Sequence, residues 1–108
     1  MRQALVTYKN EEAGVLTQED DGTFVFRYQY TWFDSSDKPA ISLTLPKSQQ
    51  EYRSEYLFPF FFNMLPEGSN KLAVCYAMRI DEEDHFGLLL TTASYDTIGA
   101  VRVRKLDS

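Results

Sequence analysis

Histidine occurs once in these 108 residues, as His85, at the end of the run Asp81-Glu82-Glu83-Asp84-His85. On paper, four carboxylates and an imidazole could hold a hard cation. A metal centre needs three or four ligands converging on one point, and a calcium loop needs alternating ligands with a glycine at its sharp turn. This run has neither pattern. Its acids suit the first turn of a helix, where the backbone dipole is positive, so the expectation is a helix capped by Asp81 with His85 at the surface. Cys75, the single cysteine, stands beside Val74, Tyr76 and Ala77. It excludes an internal disulfide, fits a reducing compartment, and reads as a small buried residue rather than a nucleophile. Serine, histidine and aspartate are all present, but no Gly-x-Ser-x-Gly elbow supports a triad. The five glycines stand singly at positions 14, 22, 68, 87 and 99, so there is no glycine-rich phosphate loop. Nothing selects a pair of carboxylates for acid–base work. The expectation is a protein that is not an enzyme and uses no metal or cofactor.

The apolar residues carry more information. Residues 57 to 71 read LFPFFFNMLPEGSNK, with four Phe and a Met in the first eight positions. If residues 58–65 are helical, Phe58, Phe61, Phe62 and Leu65 form one stripe at i, i+3, i+4 and i+7. Phe60 and Met64 lie on a different side, and Asn63 is the only polar side chain. An element apolar nearly all round must be covered on more than one face. A domain of this size hides only about two-thirds of the surface its unfolded chain exposes, so its own cover is limited. Either the other helices bury the second side or another protein does. In the second case Phe60, Met64, Leu65, Pro66 and Glu67 are the expected contacts, because Met and aromatic anchors are enriched at interfaces.

The elements that must position this segment are legible from periodicity. The first half alternates like antiparallel sheet. Ala4 to Tyr8 makes a first strand; KNEEAG turns it into VLTQ; Glu19 to Gly22 (EDDG) is a strong turn signal. TFVFRYQY then places Phe24, Phe26, Tyr28 and Tyr30 on one face and Val25, Arg27 and Gln29 on the other. WFDSSDKP reads as a loop, with Trp32 and Phe33 as a lid on the core and an interface as the alternative. AISLTLP reads as a fourth strand with Ile41, Leu43 and Leu45 inward and Ser42 and Thr44 outward. After Pro46 the period changes. A short helix runs from about Phe58, started by Pro59 and stopped by Pro66-Glu67-Gly68. A second carries Leu72, Cys75, Tyr76 and Arg79 at helical spacing, capped by Ser69 or Asn70. A third follows Asp81, and GAVRVRKL closes the chain as a strand with Val101 and Val103 inward. The fold class is α+β: a mainly antiparallel meander, with closure toward a barrel as an alternative, two or three short helices and a returning C-terminal strand. The whole of residues 1–108 reads as one domain.

Sixteen acidic against eleven basic residues leave a net charge of −5. Phosphate-binding surfaces need clustered Lys and Arg, and here the tightest group is Arg102, Arg104 and Lys105. Direct nucleic-acid binding is not expected. No signal peptide and no apolar run approaching the roughly 20 residues of a transmembrane helix is present, so a soluble, cytoplasmic protein without membrane contact is expected.

In order along the chain, GVL after the first strand, F-x-Y in the third, ISLTLP, FFFNMLPEGSNK, DHFGLLL and IGAVRV resemble the N-terminal segment of HipA-type bacterial serine/threonine kinases. The match runs from Leu5 to about Val103. Phosphoryl transfer needs metal ions, a phosphate cradle and a positioned base, and the kinase core that supplies them in that family has no counterpart here. Met1 and the end at Ser108 suggest a separately encoded protein, similar to the HipS-like antitoxins of HipBST toxin–antitoxin systems. That resemblance implies a non-catalytic protein that neutralises a HipT-like kinase toxin, in a ternary complex with a HipB-like DNA-binding repressor. The alternatives are an assembly subunit that bridges kinase and repressor without inhibiting, or an N-terminal fragment of a full-length HipA kinase.

Overall fold

Lys9 and Asn10 both take positive φ (49° and 69°), and that pair of left-handed residues folds the first two strands into a tight hairpin. The computed structural model describes residues 1–66, 68–92 and 100–106. Strands β1 (Arg2–Tyr8), β2 (Glu11–Gln18), β3 (Phe24–Tyr28), β4 (Glu51–Ser54) and β5 (Val101–Lys105) form one sheet in the order β4-β3-β2-β1-β5. Every neighbouring pair is antiparallel. The meander is therefore real and β5 returns to pair with β1, but the sheet stays open, with β4 and β5 as its edges. Four helices accompany it: α1 (Tyr30–Phe33), α2 (Pro59–Phe62), α3 (Gly68–Met78) and α4 (His85–Thr92).

The second turn is made as its sequence indicates. Gly22 has φ 90°, its N–H donates to the Glu19 carbonyl at 2.9 Å, and the Asp21 carboxylate accepts from the Thr23 N–H at 2.9 Å. Strand β2 starts earlier than expected, at Glu11, because the turn before it needs only two residues. Its register slips after Val6, leaving Ala13 as the extra residue of a β-bulge.

One sheet face builds the core. Ala4, Val6, Leu16, Phe24, Phe26 and Tyr28 are buried together with side chains from all four helices. Tyr30 does not join them and is exposed, because β3 ends at Tyr28 and α1 begins there. The other face is charged. Register places Arg104 and Arg27 in one row with Leu5, Arg53 opposite Val25, and Arg102 opposite Thr7. Leu5 and Val25 are nevertheless buried, as expected where long arginine stems lie over neighbouring apolar residues. Arg53 pairs with Glu19 at 3.0 Å and with Glu51 at 3.5 Å.

AISLTLP is not a strand, and the fourth strand begins eleven residues after its start, at Glu51. Ser42 and Thr44, expected as outward strand positions, instead make a local turn: the Ser42 hydroxyl accepts from the Thr44 N–H at 3.1 Å, and the Leu45 N–H reaches the Ser42 carbonyl at 3.1 Å. Such side chains compete with a ladder for the backbone. The turn keeps Ile41 and Leu45 inward but turns Leu43 out, 99% exposed. The buried Tyr28 hydroxyl holds this loop, donating to the Leu45 carbonyl and accepting from the Ile41 N–H at 3.1 Å. Trp32 is buried in α1, where a loop was expected, and its indole N–H donates to the Pro39 carbonyl at 2.9 Å.

Helix α3 ends in a Schellman-type cap. The Ile80 N–H donates back to the Cys75 carbonyl at 2.9 Å across Arg79, whose φ is +55°. Glycine is the usual occupant of that left-handed position.

Two stability measurements check these contacts. Tyr28→Phe leaves the Ile41 N–H and Leu45 carbonyl unpaired in the core and is expected to cost about 1–3 kcal/mol in denaturant unfolding. Arg79→Gly removes the side-chain strain of a left-handed residue and is expected to stabilise by about 0.5–1 kcal/mol. Unchanged or lower stability would contradict that reading of the cap.

Candidate partner interface

Pro59 fixes the first turn of α2, and Pro66 ends the segment because it restricts Leu65 before it and lacks an N–H of its own. The eight-residue helix expected over 58–65 is therefore one α-helical turn, Pro59–Phe62. Two tighter turns follow, in which the Met64 N–H donates to the Phe61 carbonyl at 3.0 Å and the Leu65 N–H to the Phe62 carbonyl at 3.1 Å. This shorter spiral changes which side chains face in. Phe58, Phe61 and Leu65 are buried, with the Phe61 ring against Phe26 (centroids 5.7 Å) and Phe58 (6.4 Å).

Phe62, expected in the buried stripe, is 46% exposed. Its ring stands at 90° to the His85 imidazole, centroids 5.3 Å apart. The two form part of an open cleft of about 240 Å³, with Phe24, Tyr56 and Leu57 as further apolar lining and Glu55 and Glu83 as acids. His85 thus meets an aromatic ring at the surface, and among the described residues no group of three His, Cys, Asp or Glu could hold a metal.

Of the contacts expected from the sequence, Leu65 belongs to the core, while Phe60, Met64 and Pro66 are half-buried. Phe60 packs edge-on against Phe61 at 5.2 Å. Phe60 and Met64 rest on the core while keeping apolar area outward. Glu67 lies outside the described residues. Buried Phe58, Phe61 and Leu65 anchor a short apolar platform whose open side carries Phe60, Phe62, Met64 and Pro66.

The helix expected beyond it is present as α3. Only Cys75 of it is buried; Leu72 and Tyr76, which share its helical spacing, are 55% and 89% exposed. The signal was in composition: GSNKLAVCYAM has Lys71 as its only charged residue, too few for a helix facing water.

Helix α4 is fixed by charge. Its cap is Asp84, three residues beyond the expected Asp81, and its carboxylate accepts from the Gly87 N–H at 3.1 Å. The same carboxylate takes both guanidinium nitrogens of Arg2, at 2.6 and 3.1 Å, and the Arg2 guanidinium lies 5.0 Å over the Phe86 ring. A Cβ at 87 would fall 2.3 Å from the Asp84 carboxylate, so a larger residue there would displace the carboxylate from this cap. Asp81 caps only the preceding turn, accepting from the Glu83 N–H at 2.8 Å. The Arg2 hydrogen bond is the main influence and lowers the Asp84 pKa; burial opposes it, and the weaker Gly87 N–H hydrogen bond adds to the lowering.

Comparison with known proteins adds a lineage to this geometry. A family model described as HipA N-terminal domain matches residues 4–104. The chain superposes on a solved structure titled "N-terminal domain of HipA toxin" with a TM-score of 0.71 and 31% identity, covering 99% of this chain and 94% of that one. A Sinorhizobium fredii protein named "Putative kinase Y4mE" is 32% identical over 76 residues, 70% of this chain but only 18% of the relative's length. A Haemophilus influenzae protein, named "Uncharacterized protein", is 36% identical over 90 residues, 83% of this chain and 80% of its own length.

A depressed carboxylate pKa adds stability that is present above the unfolded-state value of about 3.9 and is lost as pH falls through the lower folded value. Asp84→Ala, which removes cap and ion pair together, is expected to cost about 1–2 kcal/mol at pH 7. Asp84→Asn keeps an oxygen for Gly87 and should flatten the decline of stability below about pH 4. An acid profile identical to wild type would show that Asp84 contributes nothing by its charge.

Proposed function

The chain belongs to the HipA N-terminal domain family, and from that membership we propose that it is a non-catalytic antitoxin of the HipS type. In this reading it binds and neutralises a HipT-like serine/threonine kinase toxin in the cytoplasm. A HipB-like DNA-binding repressor completes the complex and supplies the DNA contact for autoregulation. The acidic balance of −5 fits that division. No helix among the described residues is long and apolar enough to cross a membrane.

The observation that carries the proposal is the platform at 58–66, core on one side and apolar surface on the other. Phe60, Met64 and Pro66, with Phe62 beside them and Glu67 next in sequence, are its proposed contacts; buried Leu65 supports them from below. An apolar segment of this kind is what a domain retains when its family also places it within much longer chains, as in the Sinorhizobium relative. The Haemophilus relative, which this chain matches over 80% of its length, supports the stand-alone form, because that protein is of similar size. Inhibition follows from docking: the bound domain either covers the kinase cleft or holds the kinase in an inactive conformation, and neither route asks for chemistry from this chain.

A second reading is favoured by the Sinorhizobium match, in which the same domain is 18% of a longer protein. There the chain is the N-terminal part of a HipA-type kinase, and the reading frame beyond codon 108 decides between the two.

Titrating this chain into a HipT-like kinase from the same genome is expected to abolish its phosphorylation activity at saturation. Undiminished activity would overturn the antitoxin reading. If the DNA affinity of a complex with the repressor rose while activity stayed constant, an assembly subunit would replace it.

A further inference from the structure

Helix α3 is attached to the body of the molecule by one flank. Cys75 is buried, with Val74 and Ile80 half-buried and packed against the core. The opposite flank is a contiguous stripe at i, i+1, i+4 and i+5, formed by Leu72, Ala73, Tyr76 and Ala77, all exposed. Two of its four members are large apolar residues and two are small enough to let another surface approach the backbone. An eleven-residue helix facing water ordinarily carries charge on that side; this one has none there.

Arg79 adds an independent sign. It holds a left-handed conformation that glycine would adopt without strain. Among the described residues no carboxylate pairs with it. With Cys75, Tyr76 and Ala77 it borders an open groove of about 540 Å³. A guanidinium beside an exposed Tyr has the composition that dominates binding energy at protein interfaces.

We propose that α3 is a second docking element for the same kinase, its Leu72–Tyr76 stripe seated on an apolar surface of the kinase and Arg79 paired with a carboxylate there. The inference rests on the kinase reading above and adds a contact separate from the platform at 58–66. Charge and family size select this occupant. Helix α3 contains no acid in a chain of net charge −5, so its complement is apolar with a negative group. A second copy of α3 offers only Lys71 and another Arg79, with no carboxylate to meet the first. In the Sinorhizobium relative the matched stretch is only 18% of the chain, and the remainder provides a surface large enough to cover the helix.

The test is binding of wild type, Tyr76→Ala, Ala73→Arg and Arg79→Gly to a HipT-like kinase from the same genome, with sedimentation equilibrium of each free chain. Tyr76 and Ala73 are exposed, so both variants should unfold with wild-type midpoints. The expected result is about 30-fold weaker binding for Tyr76→Ala and a larger loss for Ala73→Arg. Arg79→Gly should be more stable yet bind more weakly. Wild-type affinity in all three, with the parent chain binding normally, would overturn the α3 inference and leave the antitoxin reading standing. No binding by the wild type would overturn both. A dimer that Ala73→Arg dissociates would assign the stripe to a second copy of this chain instead.

Discussion

The ring of Phe26 is where the sheet and the apolar segment meet. It lies edge-on to Tyr28 at 4.9 Å and tilted against Phe61 at 5.7 Å. The space it fills exists because Gly14, on the neighbouring strand, has no side chain. A Cβ at that position would come 2.7 Å from both the ring and the Arg27 carbonyl. Through Tyr28 the same cluster fixes the loop at 40–46, and through Phe61 it fixes α2. Proteins of this size have little interior to spare, so one close-packed aromatic group sets the position of both loop and helix.

From that constraint follows the asymmetry of the molecule. The charged sheet face is covered by its own arginine stems and ion pairs, and its edge strands carry Arg53, Arg102, Arg104 and Lys105, side chains that discourage strand addition. The helical side buries Phe58, Phe61 and Phe86 in the core, and Phe60, Phe62, Leu72 and Tyr76 leave the surface around α2 and α3 apolar and open. An acidic chain with an apolar side is suited to recognising protein rather than nucleic acid. The kinase proposed as its partner is suggested by membership of the HipA N-terminal domain family.

Much of the sheet was legible because its signals are local. Period-2 alternation in TFVFRYQY and VRV, and the turn at EDDG, need no tertiary information to act. What was not legible depended on competition between local options. Ser42 and Thr44 could serve a strand or a turn, and the Tyr28 hydroxyl, distant in sequence, favoured the turn. Glu51–Ser54 lies in the polar stretch KSQQEYRSE and gave no apolar signal, as suits an edge strand with both sides partly exposed. In the candidate interface, Phe60 and Met64 were separable from Phe58 and Phe61 by spacing. Phe62 was not, because two prolines shortened the helix and rotated it outward. Leu72, Cys75 and Tyr76 share helical spacing, and period alone did not say which of them face the core.

In the proposed complex, the apolar side built by α2 and α3 is the surface that meets a kinase. Amide hydrogen exchange of this chain, free and mixed with a HipT-like kinase from the same genome, tests it most directly. Docking through this side slows exchange across residues 58–66 and 68–79 and leaves strands β3 and β4 unchanged on the arginine face. Protection confined to β3, β4 and β5, or no change anywhere, would contradict it.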